Sequence, residues 1–212
     1  MPKRENSEQT KQRIIETATQ MFKERDWDWD NVKIEDVVAE LGVTRGAFYH
    51  HFKSREELVM EVVGRIFTEN DPFKQACETS GLNGLEKLKV ALKHSIAQSQ
   101  DIYLQKSVKA AISDPVVFKG EVMHTLLEAH IHGVRLTEEG NRDGSLRVAY
   151  PKQATQAVVL LFNLWLNPVI SNVPYEEYVQ KVEFLRYLTN ILGVPMIDDE
   201  TVELILQLHK SI

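Results

Sequence analysis

Between Leu41 and Leu58 the sequence reads Leu-Gly-Val-Thr-Arg-Gly-Ala-Phe-Tyr-His-His-Phe-Lys-Ser-Arg-Glu-Glu-Leu, a run whose polar members suit a polyanion. Arg45 can form a bidentate pair with a guanine edge in a major groove, and Gly46 removes a side chain where a helix start must approach a duplex closely. Tyr49, His50, Lys53 and Arg55 can hold phosphates, with Thr44 and Ala47 beside them and Lys33 adding a charge contact from an earlier turn. A basic, aromatic face on a short helix is also compatible with plain solvation. A second set, His124, Glu128 and His132 at i, i+4 and i+8, with Glu121 a turn earlier, projects from one side of a helix. Imidazoles and a carboxylate so spaced could hold a zinc-like metal or orient a polar ligand, or could form a polar outer stripe; no metal is assigned. The sequence contains no Ser/His/Asp motif, P-loop, dinucleotide fingerprint or HExxH, so the reading is of a non-enzyme without a cofactor.

These residues need a frame. Ile34, Val37, Val38 and Leu41 recur at helical spacing, and Gly42 supplies the left-handed residue that ends a helix. Val43 can point back to the core and Thr44 can cap the next helix, whose apolar positions Ala47, Phe48 and Phe52 anchor one side. An earlier helix, from about Ser7 or Thr10 to Arg25, carries Ile14, Ile15, Ala18, Met21 and Phe22. Ser54-Arg55-Glu56-Glu57 reads as a capping box opening a linking helix with Leu58, Val62, Val63 and Ile66, which ends at Asn70-Asp71-Pro72.

Residues from about Thr10 to Val63 resemble the DNA-binding domain of the tetracycline-repressor (TetR) family, on Ile14, Ala18 and Phe22, on Leu41-Gly42-Val43-Thr44-Arg45-Gly46, and on the continuous run from Phe48 to Leu58. The resemblance implies an all-α chain, with a three-helix head containing a helix-turn-helix, a linking helix, and a larger helical domain for effector binding and dimerisation. The expected division is 1–55 and 56–212. Where the family has a short turn with a glycine and paired threonines, this chain has Asp26-Trp27-Asp28-Trp29-Asp30-Asn31-Val32-Lys33, about two residues longer. Asp30 or Asn31 is the expected cap of the second helix.

At 212 residues the chain has room for two modules, and its net charge of −6 argues against indiscriminate nucleic-acid binding. Residues 1–55 hold ten Lys/Arg and ten Asp/Glu, so the deficit lies wholly in residues 56–212, with fifteen against twenty-one. A nucleic-acid face must therefore be local. Cys77 is the only cysteine, which excludes a disulfide framework and a Cys-based zinc site and leaves either a small packed side chain or a redox thiol. No signal peptide or membrane-length apolar run is found, so the expected place is the cytoplasm, with no membrane partner.

Downstream, helices are expected around Leu85, Leu88, Leu92 and Ile96; from about Ile102 to Ile112; and after Asp114-Pro115 through Val134, followed by a polar turn from Glu138 to Ser145. The segment after Pro151 is apolar nearly all round. Ala157, Leu161, Leu164 and Trp165, with Tyr178, Val182 and Leu185 on the next helix, are the expected dimer interface, the alternative being a core helix within one subunit. An effector pocket is expected from Tyr103, Phe118, Met123, Leu127 and Phe162, with His124 and Glu128 as polar contacts. The functional expectation is a ligand-responsive regulator of transcription, acting as a repressor, that binds a double-stranded, pseudo-palindromic operator as a homodimer and is released by a small effector. Alternatives are a structural or cell-division DNA-binding role and a helical protein-interaction scaffold.

Overall fold

The computed structural model describes residues 2–25, 28, 31–69, 71–99, 115, 118, 119, 122 and 129–210. Among them the chain is helical throughout, with no strand, and it divides into two compact units. Residues 2–69 lie in the first; 71–99 and 129–210 lie in the second. None of the described helices is long and apolar enough to cross a membrane.

The N-terminal unit consists of α1 (Pro2–Glu24), α2 (Ile34–Leu41), α3 (Arg45–His51) and α4 (Arg55–Glu69). One core joins all four: Ile14, Ala18 and Phe22 from α1, Val37 from α2, Phe48 from α3, and Leu58 and Val62 from α4 are almost wholly buried. Because Leu58, Val59, Val62 and Val63 complete this core, the division follows α4 instead of falling at 55/56. The cap of α2 also differs from expectation. Lys33 occupies the N-cap position, its backbone N–H donating to Asp36 Oδ2 at 3.3 Å. Arg25 clamps the joint by donating to both Asp36 Oδ2 (2.8 Å) and the Asn31 carbonyl. A carboxylate one turn inside the helix thus does the work expected of Asp30 or Asn31, and Arg25, followed by the Lys33 N–H, holds the Asp36 carboxyl below its usual range.

The second unit begins with a short helix the sequence reading missed, α5 (Pro72–Cys77), capped by Asp71 Oδ1, which accepts from the N–H groups of Phe73 and Lys74. It continues with α6 (Gly84–Ser99), α7 (Ala129–Asp143), α8 (Pro151–Leu160), a π-helical turn (Leu161–Trp165), α9 (Pro168–Ser171), α10 (Tyr175–Ile191) and α11 (Asp199–Lys210). The helix expected from Ile102 to Ile112 lies outside the described residues.

The polar turn expected from Glu138 onward is helical to Asp143 and ends at Gly144, which is left-handed at φ 84°. A distant residue explains this. A Cβ on Gly84 would lie 2.2 Å from the Gly140 nitrogen, so α6 and α7 cross with backbone on backbone and Gly140 belongs to a helix interior. The same joint is closed by Asp143 Oδ2 and Ser145 Oγ, which accept from the N–H groups of Gly84 and Leu85, and by Lys87, whose Nζ lies 2.6 Å from Glu139 Oε1. Leu88, Leu92, Ile96, Leu136, Val158, Tyr178, Val182, Leu185 and Ile205 share the core beneath it.

Candidate nucleic-acid interface

The two halves of α3 face differently for local reasons. Gly42 adopts φ 66° and ends α2, and the Thr44 hydroxyl accepts from Ala47 N–H at 3.2 Å and opens α3. Phe48 and Phe52 then sink into the core, their ring centroids 5.4 Å apart, fixing the helix about its axis. That leaves Arg45, Gly46, Tyr49, His50 and Lys53 exposed, with Ala47 half-buried and Lys33 exposed at the start of α2. Tyr49 stands edge-on to Phe48 at 5.4 Å, so a buried ring orients an exposed phenol. The start of α4 is set by Ser54 Oγ and Glu57 Oε2, which accept from the N–H groups of Glu57 and Lys53.

Arg55 departs from the outward role expected of it. Its Nε donates to the Val32 carbonyl at 2.8 Å, and its Nη2 is buried with no hydrogen-bond partner among the described residues. The guanidinium braces the segment before α2 from beneath. Lys11, another basic residue of this unit, pairs with Glu61 at 2.7 Å and lies 5.7 Å from the Phe52 ring centroid, tying α1 to α4.

His51 faces inward beside Phe52 and is half-buried. Burial, then the neighbouring His50 and Lys11, lowers its pKa from the usual 6.5. A histidine with a lowered folded-state pKa binds fewer protons folded than unfolded, so its contribution to stability is lost as pH falls through and below 6.5. The N-terminal unit is therefore expected to melt earlier at about pH 5.5 than at about pH 7.5, and His51→Gln to narrow the gap. Thermal melts of both proteins check this; an unchanged gap would place the acid sensitivity elsewhere.

Residues 14–62 match the sequence profile described as bacterial regulatory proteins, tetR family. The chain belongs to the tetR family. Over 76 residues the tetR-family chain is 32% identical to the HTH-type transcriptional regulator TtgR of Pseudomonas putida, a match covering 36% of this chain and 35% of that relative. It is 38% identical over 50 residues to the uncharacterized HTH-type transcriptional regulator YerO of Bacillus subtilis, covering 24% of this chain and 17% of that one. The chain thus spans about a third or less of the length of these curated relatives. Whole-chain likeness comes from solved structures. A tetR-family transcriptional regulator from Pectobacterium atrosepticum superposes with TM-score 0.60 at 22% identity, covering 90% of this chain and 97% of the other, and RolR in complex with resorcinol with TM-score 0.63 at 19%, covering 95% of each. At such identities the likeness carries the fold: an N-terminal helix-turn-helix domain followed by a larger helical part.

The expected dimer residues separate. Tyr178, Val182 and Leu185 are completely buried within the single chain, because α11 packs on that side of α10, so they have no surface to offer a partner. The opposite face of α10 is the open one. Phe184, Tyr187 and Ile191 are 51%, 63% and 63% exposed, a stripe the sequence reading passed over although its i, i+3, i+7 spacing is there to be seen. Trp165 stands edge-on to Phe184 at 5.9 Å, while Lys181 Nζ lies 4.9 Å from the Trp165 ring centroid and donates to its carbonyl. Leu161 and Trp165 are partly buried against the core, Leu164 is half-buried and Ala157 is exposed.

Of the expected effector residues, Tyr103, Met123, His124, Leu127 and Glu128 lie outside the described residues; Phe118 is half-buried, and Phe162 packs on the core. His132 makes a specific contact, its Nδ1 lying 2.7 Å from Asp71 Oδ2, on the carboxylate that caps α5. Among the described residues no three His, Cys, Asp or Glu side chains gather as metal ligands. Cys77 is half-buried, and burial raises its thiol pKa, which favours the packed reading over a reactive thiolate. A cavity of about 20 Å³ lies between α6, α7 and α8, lined by Phe73, Leu88, Ala154 and Val158, with the Thr137 and Thr155 hydroxyls 2.9 Å apart on its wall.

Proposed function

We propose that this chain is a ligand-responsive transcriptional regulator that reads a pseudo-palindromic operator as a homodimer. The observation that carries the reading is the division of α3, anchored through Phe48 and Phe52 and open along Arg45, Gly46, Tyr49, His50 and Lys53. A second subunit covers Phe184, Tyr187 and Ile191 and sets the two recognition helices about 34 Å apart, one turn of B-DNA. The cavity between α6, α7 and α8 is the seed of an effector chamber. It is far below the roughly 300 Å³ of a ligand site, so an effector must enlarge it. That enlargement favours a different separation of the recognition helices, with coupling of about 1–3 kcal/mol.

The test is selection of duplexes from a random library by the purified full chain. One sharp, two-fold symmetric site is the expected outcome; a partner protein retained without DNA, or no preferred duplex, would sink the reading. On the selected site, Arg45→Ala should cost about 1–3 kcal/mol and relax preference at one base pair per half-site, whereas Lys53→Ala should weaken all duplexes alike and flatten the salt dependence. Equal, sequence-independent losses from both would remove the division between base reading and phosphate anchoring.

A further inference from the structure

The exposed face that carries Arg45 also carries an acid. Glu35, in the first turn of α2, places Oε1 2.9 Å from Arg45 Nη2, and the two side chains keep 55% and 61% of their surface. Its neighbour Asp36 is turned to Arg25 and to the backbone of Lys33, so the two acids of that turn serve different partners. An ion pair this exposed adds little to folding. It matters where it stands, because a carboxylate beside the first residue of the recognition helix confronts phosphates with like charge and competes with DNA for the guanidinium.

We propose that Glu35 is a specificity-determining residue of the DNA interface, an inference that rests on the DNA-reading function above. On an arbitrary duplex, Arg45 gains at most a phosphate contact, which its existing pair with Glu35 largely matches, while Glu35 repels the backbone. On the operator, a guanine edge gives Arg45 a bidentate partner, and Glu35 can remain beside the guanidinium or accept from a cytosine amino group. The carboxylate therefore weakens non-specific binding more than specific binding and widens the ratio between them.

The experiment compares the full chain and Glu35→Gln on the duplex selected by the wild-type chain and on a scrambled duplex of equal length, at low and moderate salt. Glu35→Gln is expected to bind the scrambled duplex about fivefold tighter, to change affinity for the selected duplex by less than about twofold, and so to shrink the specificity ratio. In an Arg45→Ala background the same substitution should alter both duplexes equally. An unchanged specificity ratio for Glu35→Gln with Arg45 in place would overturn the role of Glu35 while leaving DNA reading intact. A wild-type chain that selects no duplex would overturn both.

Discussion

Gly84→Ala is expected to destabilise the C-terminal unit by about 3 kcal/mol or more, enough to unfold it at moderate temperature. The added methyl would lie 2.2 Å from the nitrogen and 2.4 Å from the Cα of Gly140, and 2.8 Å from the Leu136 carbonyl oxygen. All three are backbone atoms, so no rotamer change relieves the contact and α6 must part from α7. Parting them also strains the bonds from Gly84 and Leu85 to Asp143 and Ser145 and the largely buried Lys87–Glu139 pair. Gly64→Ala, in the interior of α4 where no neighbouring atom lies within 4 Å of the new methyl, is the control and should be neutral or stabilising by up to about 1 kcal/mol. Thermal and denaturant unfolding of both variants measure the difference; similar midpoints would mean that the helix crossing yields more readily than its geometry implies.

Tyr187→Glu is expected to convert the chain to a monomer and to lower operator affinity by about 100-fold or more. The stripe of Phe184, Tyr187 and Ile191 leaves apolar surface open on α10, and a charge buried unpaired in a contact there is strongly unfavourable. Losing the dimer loses bivalent engagement of the two half-sites, whose advantage lies in the range of about 10² to 10⁴. Because Tyr187 is 63% exposed in the single chain, the variant should keep its fold, and circular dichroism can show that it does. Sedimentation and operator titration complete the test. A dimer of unchanged affinity would move the interface away from this stripe.

What could be read in the sequence followed the distance over which its causes act. Gly42, Thr44, Phe48 and Phe52 specify the turn and the anchored side of α3 within a dozen residues, so local chemistry was enough. Asp71-Pro72 carries the same cap-and-proline signal as Asp114-Pro115, but directly after a long helix it reads as a stop and conceals the start of α5. Gly140 looks like turn chemistry until Gly84 arrives from 56 residues away to require it. On α10 two apolar stripes coexist, and periodicity cannot choose the one facing inward. The choice is made by α11, which covers Tyr178, Val182 and Leu185 and leaves Phe184, Tyr187 and Ile191 outside. The pair formed by Glu35 and Arg45 was hidden for a related reason, since it joins two helices across a turn and neither residue is unusual on its own.

At Leu161–Trp165 the helix widens, and the Leu166 N–H reaches the Leu161 carbonyl at 2.8 Å, spanning five residues. Deleting one residue there would let the segment close as ordinary α-helix, and each residue removed turns everything beyond it by about 100°. Trp165 would swing away from Lys181 and Phe184, and Asn167, which caps α9, would be carried round with it. Substitutions at Phe162 or Asn163 leave that azimuth unchanged. In descent, then, this stretch should tolerate spelling changes far better than changes of length, with insertions and deletions purged where point mutations persist.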